Sequence, residues 1–217
     1  MQCCKGQAYD RMFDAKTARK QLRAYEKKGP TGATKRLLAA VRGTLDGPFT
    51  HLDIGGGVGV LQHELAAAGA TRTTAVDASA PYLELLQQGA ADRGYADRQV
   101  RIEGDFATVA EQAGQATVVT LDKVICCYPD MLALVRSSAA AAEDVYAIVV
   151  PHDAAWAKLF MHGFNAFVRY VLRESFEAFV HPLAEIDRVC AEQGLELVHA
   201  ERWHFMRVRL YRRGAHP

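Results

Sequence analysis

The run His51-Leu52-Asp53-Ile54-Gly55-Gly56-Gly57-Val58-Gly59-Val60-Leu61 decides the fold. Phe49, Leu52 and Ile54 suit a short buried strand, and Leu61, Leu65 and Ala68 then recur at helical spacing, so four glycines sit at a strand-to-helix turn. Glycine there lets the chain turn with φ > 0 and lets a ligand approach without a Cβ in the way, while the helix start offers unpaired N–H groups. Such turns, at the carboxyl edge of a strand, are where open α/β sheets bind ligands.

Downstream, Val58 to Ala68 reads as the first helix and Thr73 to Asp77 as a second strand that ends on a carboxylate. Pro81 suits the first position of a helix carried by Tyr82, Leu83, Leu85 and Leu86, with Ser79 as its candidate cap. Gln99 to Glu103 forms a third strand, followed by Gly104-Asp105-Phe106. Ala116 to Leu121 is an apolar run suited to a buried parallel strand, ending at Asp122-Lys123. A loop over 124–130, a helix from Met131 to Ala142 and a strand from Val145 to Val150 complete a βαβαβαβαβ order. That alternation predicts an α/β fold with a doubly wound, Rossmann-like, mostly parallel sheet and helices on both faces. A helix from Pro182 to Gln193 and strands from Leu195 to Glu201 and Phe205 to Tyr211 bring the sheet to seven strands.

The 217 residues suit a single domain, divided into a helical cover (1–45), a core (46–151), a helical lid (152–181) and a closing helix and strands (182–217). Residues 1–12 read as a loose arm. Half of the residues are hydrophobic and the formal charge is +1, without a charge-free run of membrane-spanning length, so a soluble chain without stable membrane insertion is expected. The start lacks an apolar signal region, which favours a cytoplasmic location. Five cysteines without a C-x-x-C pair predict reduced thiols and no metal site. The charge balance gives no global pull toward nucleic acid, although eight basic residues stand against the single acid Glu26 between Lys16 and Arg36. That stretch reads either as a solvated helix face or as a cationic cover over an anionic ligand.

Within 153–173, Lys158, His162, Asn165, Arg169 and Arg173 fall on one stripe, while Trp156, Leu159, Phe160, Phe164, Phe167 and Val171 cover the rest. Three readings follow: an aromatic face packed onto the domain, a substrate-pocket wall that includes Phe160 and Phe164, and peripheral membrane contact.

A dehydrogenase dinucleotide site wants G-x-G-x-x-G, whereas here Val60 stands where the third glycine belongs, which argues against a nicotinamide cofactor. The segment Asp53-Ile54-Gly55-Gly56-Gly57-Val58-Gly59 resembles motif I of the class I S-adenosylmethionine-dependent methyltransferases. The resemblance covers roughly residues 34–150, and the two final strands fit that family's antiparallel last strand. Leu121 to Pro129, the amino-terminal helix with Tyr25, and Phe179-Val180-His181 are further similar to magnesium-protoporphyrin O-methyltransferases. The chain departs from that subgroup at Cys126-Cys127, where a histidine is expected before Tyr-Pro.

The resemblance implies S-adenosylmethionine as donor, with Asp53, Gly55, Gly56, Gly57 and Gly59 forming its cradle and Asp77, with Ala78 beside it, at the ribose. It places Asp105 and Phe106 around the adenine and Leu121 and Asp122 at the methyl-donor end. A carboxylate at Asp77 can accept both ribose hydroxyls, which apolar residues cannot. Asp53 either orients the turn or meets the cationic part of the donor. The expected activity is methyl transfer to a small-molecule acceptor, preferably oxygen, with Tyr25, Cys126 and Cys127 toward the substrate. A carboxylate acceptor needs no base, whereas a phenol, amine or thiol can use one, for which Tyr128, His152 and His181 are the candidates. Alternatives are a thiol-dependent metalloid, S- or N-methyltransferase using the cysteine pairs, and a non-catalytic donor-binding protein.

Overall fold

The structure, a computed structural model, describes residues 13–173 and 176–214. The arm over 1–12, with Cys3 and Cys4, lies outside the described residues. Helix α1 (Ala15–Lys28) starts where the Asp14 carboxylate accepts the Thr17 N–H at 2.8 Å, and α2 (Gly32–Arg42) follows the Gly29-Pro30 break. The glycine turn separates β1 (Phe49–Ile54) from α3 (Val60–Ala67). Then come β2 (Ala70–Asp77), α4 (Ala80–Asp92), β3 (Gln99–Glu103), α5 (Phe106–Ala113) and β4 (Ala116–Asp122). The chain continues through α6 (Met131–Ala140), β5 (Ala142–Pro151), α7 (Ala155–Tyr170), α8 (Leu183–Glu192), β6 (Leu195–Trp203) and β7 (Met206–Arg213).

The seven strands lie in the order β3-β2-β1-β4-β5-β7-β6. Pairs from β3 to β5 are parallel, and β7 runs antiparallel to both β5 and β6. The chain leaves β1 toward β2 and returns on the other side at β4, which opens a crevice at their carboxyl ends. Central strands bury both faces: Leu52, Val119, Leu121, Tyr146 and Ile148 pack with Leu134 of α6 and Ile186 of α8. Val118, Val145, Ala147 and Val149 face the opposite way, onto Leu37 and Val41 of α2 and Leu65 of α3. Two-sided burial explains the unbroken apolar runs of β4 and β5.

Three local expectations change. The first sheet helix begins at Val60 rather than Val58, because Gly59 still holds φ at 80°. Ser79 occupies the N-cap position of α4 without capping it; its hydroxyl donates instead to the Phe13 carbonyl at 3.0 Å. The segment after Gly104-Asp105 forms α5, with Asp105 as its cap through the Ala107 N–H at 3.1 Å. The basic residues of α1 are exposed, as a solvated face requires, and Arg36 stacks 4.0 Å over the Trp203 ring while pairing with Glu201.

Helix α7 departs most from a packed amphipathic flank. Its buried residues are Ala157 and Val168, and Trp156, Leu159, Phe160, Phe167 and Tyr170 are exposed. No helix among the described residues is long and apolar enough to cross a membrane.

Candidate active site

The crevice between β1 and β4 contains a cavity of about 260 Å³. Its floor is the glycine turn with Asp53; Asp77 stands at the end of β2, and Asp122 and Lys123 follow β4. Phe13, Gln21 of α1, Thr34 of α2 and Tyr82 of α4 close the other sides. The Phe13 ring bridges two others, 6.2 Å from Tyr82 and 6.0 Å from Phe176, so the segment after α7 meets the amino-terminal segment over the mouth.

Asp53 is fully buried beneath the turn. Its Oδ1 accepts the Thr120 hydroxyl at 2.6 Å, and Thr120 in turn lies 2.8 Å from His51 Nε2. Because that hydroxyl proton goes to Asp53, Thr120 accepts from a His51 protonated on Nε2. Burial holds His51 neutral, with its pKa pushed down to about 3. Burial likewise pushes the Asp53 carboxyl up to about 7; the Thr120 bond opposes this, and the charges of Asp122 and Asp77 add to it. Asp53 Oδ2 has no hydrogen-bond partner among the described residues, and neither does the buried Tyr82 hydroxyl. Orphaned buried polar atoms facing a cavity point to a ligand that satisfies them.

Gly56 passes directly over Asp53, and at Gly59, where φ is 80°, a Cβ would fall 2.0 Å from Leu86 Cδ1, so a larger residue at either place must displace a buried side chain. The Gly57 N–H donates to Asp77 Oδ2 at 3.1 Å and the Ser79 N–H to Oδ1 at 2.9 Å. Burial raises the Asp77 carboxyl, and those N–H groups pull it back. Each Asp77 oxygen keeps a lone pair for a further hydroxyl.

A polar knot forms the far wall. The Thr34 hydroxyl donates to Asp122 Oδ2 at 2.6 Å, and Lys123 Nζ reaches Thr34 Oγ1 and both Asp122 oxygens at 2.7 Å. Lys123 holds φ at 65°, a left-handed conformation that is rare for a non-glycine residue and that concentrates at functional sites.

The chain matches the methyltransferase domain family over residues 14–200, which takes in every wall residue of the cavity except Phe13. It belongs to that family. The protein is thus a methyltransferase, an enzyme that uses S-adenosylmethionine. No curated protein matches it in sequence. Among solved structures it is similar to the magnesium protoporphyrin IX methyltransferase of Synechocystis with bound S-adenosylmethionine, at 20% identity over 97% of this chain and 93% of that one, with a TM-score of 0.64. It is also similar to a methyltransferase complexed with the Trm112 activator of Haloferax volcanii, at 15% identity over 94% and 97%, TM-score 0.69. A third is an O-methyltransferase family 2 protein of Planctomyces limnophilus with apigenin, at 17% identity over 92% and 62%, TM-score 0.64. At these identities the likeness is one of fold.

Of the residues expected to hold the donor, the cavity of the methyltransferase brings together Asp53, Gly55, Gly56, Gly57, Asp77 and Asp122. Gly59, Ala78 and Asp105 stand outside it. Phe106 and Leu121 are core side chains, exposed by 3% and 0%, because the alternation of β4 and the start of α5 turn them into the sheet packing. Tyr25 points away from the cavity: its hydroxyl donates to Glu64 Oε1 at 3.1 Å and its ring stacks on His63 at 5.7 Å. Phe160 leans on Phe205 at 5.4 Å, and neither it nor Phe164 lines the cavity.

None of the three base candidates lines it either. The Tyr128 hydroxyl donates to Asp105 at 2.8 and 3.0 Å. His181 Nε2 sits 3.0 Å from the Tyr128 carbonyl, and burial lowers the pKa of the ring. His152 Nε2 accepts from Arg207 at 3.3 Å, with Trp156 edge-on at 6.1 Å. Cys126 and Cys127 lie on a 3₁₀ turn within the expected loop, with their Sγ atoms 3.9 Å apart. Gln21, Thr34, Tyr82, Thr120 and Lys123 carried no sequence signal of this role. Lys123 and Thr120 adjoin residues that did, Asp122 and Leu121.

Proposed function

We propose that the methyltransferase transfers the donor methyl to a small-molecule acceptor at oxygen, with a carboxylate as the acceptor group. The observation that carries this reading is the Lys123 ammonium in a cavity wall that none of Tyr128, His152 and His181 reaches. Tyr82, which does line the cavity, is a poor base because burial pushes its hydroxyl up to about 12. A carboxylate is ionised at neutral pH and needs no base. The names of two neighbours, an O-methyltransferase and a magnesium protoporphyrin IX methyltransferase, support acceptor chemistry of this class.

The donor supplies a methyl group already activated on a sulfonium. The chain's own part is binding, orientation and exclusion of water. Asp77 accepts the ribose hydroxyls; the orphaned Asp53 Oδ2 and the glycine N–H groups meet the polar end of the donor. Lys123, held by Asp122 and Thr34, orients the acceptor carboxylate, and Phe13, Tyr82 and Phe176 shut out solvent. The basic residues of α1 and α2 do not line the cavity, which favours a small acceptor over nucleic acid.

A panel of planar aromatic carboxylates and phenols incubated with methyl-labelled donor tests the reading. Label released as methanol by mild alkali marks a methyl ester and supports it. Alkali-stable label marks an ether and overturns the carboxylate assignment. The 3.9 Å thiol pair beside Lys123 favours one second reading, methylation of a trivalent metalloid, which label transfer to arsenite would reveal.

A further inference from the structure

Of the sixteen residues of α7, Ala157 and Val168 are the buried ones. At 3.6 residues per turn these two share one line of the helix. Trp156, Leu159, Phe160, Phe167 and Tyr170 fall on a separate stripe about a third of a turn away, and Lys158 and Arg169 on another about as far round again. The apolar stripe is turned to solvent: Leu159 is 76% exposed, Phe160 61%, Phe167 51% and Tyr170 76%, and it runs on through Val171 and Leu172 at 63% and 51%. Side chains of this size in one continuous exposed patch mark an interaction surface.

Charge says which. Residues 155–173 contain Lys158, Arg169 and Arg173 and no acid. None of these three cations has an ion-pair partner among the described residues. Arg169 and Arg173 line, with His162 and Asn165, a surface groove of about 560 Å³ against Phe176 and Glu177. Two copies of this chain packed through α7 would bring like charges together. An anionic surface would satisfy them.

We propose that α7 is a membrane-surface helix: its apolar stripe enters the boundary between headgroups and acyl chains of an anionic bilayer while Lys158, Arg169 and Arg173 engage lipid phosphates. The helix lies on the membrane and does not cross it. Docking would bear on the active site, because Phe176 of the groove also meets Phe13 of the cavity, ring to ring at 6.0 Å. The proposal is independent of the acceptor's identity.

The full chain is tested by flotation with vesicles of phosphatidylcholine alone and of an equal mixture with phosphatidylglycerol. It should float with the mixed vesicles, less with the neutral ones, and less again at high salt. Because each cation near such a surface contributes about 1 kcal/mol, Arg169→Gln/Arg173→Gln should weaken partition about thirtyfold. Leu159→Ser/Phe167→Ser/Val171→Ser should abolish flotation without lowering the melting temperature, since these side chains are solvent-exposed. If the triple variant fails to fold, the arginine variant decides by itself. Absence of flotation with the mixed vesicles overturns the proposal, as does flotation that neither variant changes. A concentration-dependent dimer in light scattering that the triple variant dissolves also overturns it, and makes the stripe a self-association face.

Discussion

Gly56 stands directly over the Asp53 carboxylate: a Cβ on Gly56 would lie 2.2 Å from Asp53 Oδ2 and 2.6 Å from its Cγ. The carboxylate cannot swing aside, because it is fully buried and held by Thr120 at 2.6 Å. Gly56→Ala should therefore destabilise the fold by about 1–3 kcal/mol, the cost of overpacking a tight site, and abolish binding of S-adenosylhomocysteine. Thermal denaturation and titration calorimetry read the two effects. Adding Asp53→Ala, which removes the clashing group, should restore most of the melting temperature and none of the binding.

Asp53 also sets a pH dependence. Its carboxyl rises from 3.8 to about 7 on folding, chiefly through burial, so the folded chain holds that proton more tightly than the unfolded one. Between those values the folded state binds more protons, and stability falls as pH rises through the window. Asp77 is shifted in the same direction. Urea denaturation at pH 4.5 and pH 7 should show a fall that Asp53→Asn makes shallower without removing it, about neutral chemistry for Asn at either pH. An unchanged slope in that variant would falsify the buried-acid account.

Much of this architecture is legible in the chain, and the reason is two-sided burial. The strand Ala116–Asp122 keeps to within one residue the bounds its pattern gives, because a parallel sheet covered on both faces selects continuous apolar runs ending in turn residues. That Asp53, the glycines and Asp77 converge on one cavity was legible too, since they belong to turns whose geometry follows from local sequence. The opposite wall was not. Thr34 meets Asp122 across 88 positions of chain, and no periodicity in α2 distinguishes Thr34 from an ordinary helix residue. The base candidates misled for a related reason: position at a strand end says nothing of where a ring turns. His152 does follow β5, but its ring goes to Arg207 and Trp156. In α7 the apolar pattern was visible, yet periodicity alone does not tell a face that meets the core from one that leaves it.

Asp77→Ala should weaken S-adenosylhomocysteine binding by about ten- to a hundredfold, because hydrogen bonds to a charged group contribute about 1.5–3 kcal/mol. The variant also releases the Gly57 and Ser79 N–H groups that Asp77 fastens at 3.1 and 2.9 Å. Asp77→Asn separates the two roles. It keeps an acceptor for one N–H and loses the charge, so the melting temperature should recover more than the affinity does. Calorimetry and denaturation on the pair of variants measure this.

At the far end of the sheet, Arg209 of β7 is 8% exposed and reaches Asp187 of α8 at 2.5 and 2.6 Å, with the Tyr211 hydroxyl on the same carboxylate at 2.7 Å. Asp187→Ala leaves the buried guanidinium without its counter-charge and should cost about 1.5–3 kcal/mol, the contribution of a hydrogen bond to a charged group, since Asp187 itself is 39% exposed. Replacing both partners, as Asp187→Leu with Arg209→Met, should cost less than the single change, since no charge is then stranded. Urea denaturation of the three chains tests the order.

Lys123 joins strain to chemistry. Its φ of 65° suits glycine, and a non-glycine residue there carries roughly 1–2 kcal/mol of backbone cost. Lys123→Gly relieves that strain, loses the pair with Asp122 and adds up to about 1 kcal/mol of unfolded-chain entropy, so its stability should stay near that of the parent. Lys123→Met loses the same pair and keeps the strain, so it should be the less stable of the two. Both remove the ammonium proposed to orient the acceptor carboxylate and should raise the acceptor KM alike, at least tenfold, for a charge-assisted contact. Donor affinity should hardly move. A glycine variant that turns over acceptor as the parent does would show that Lys123 serves only to tie β4 to α2 through Thr34.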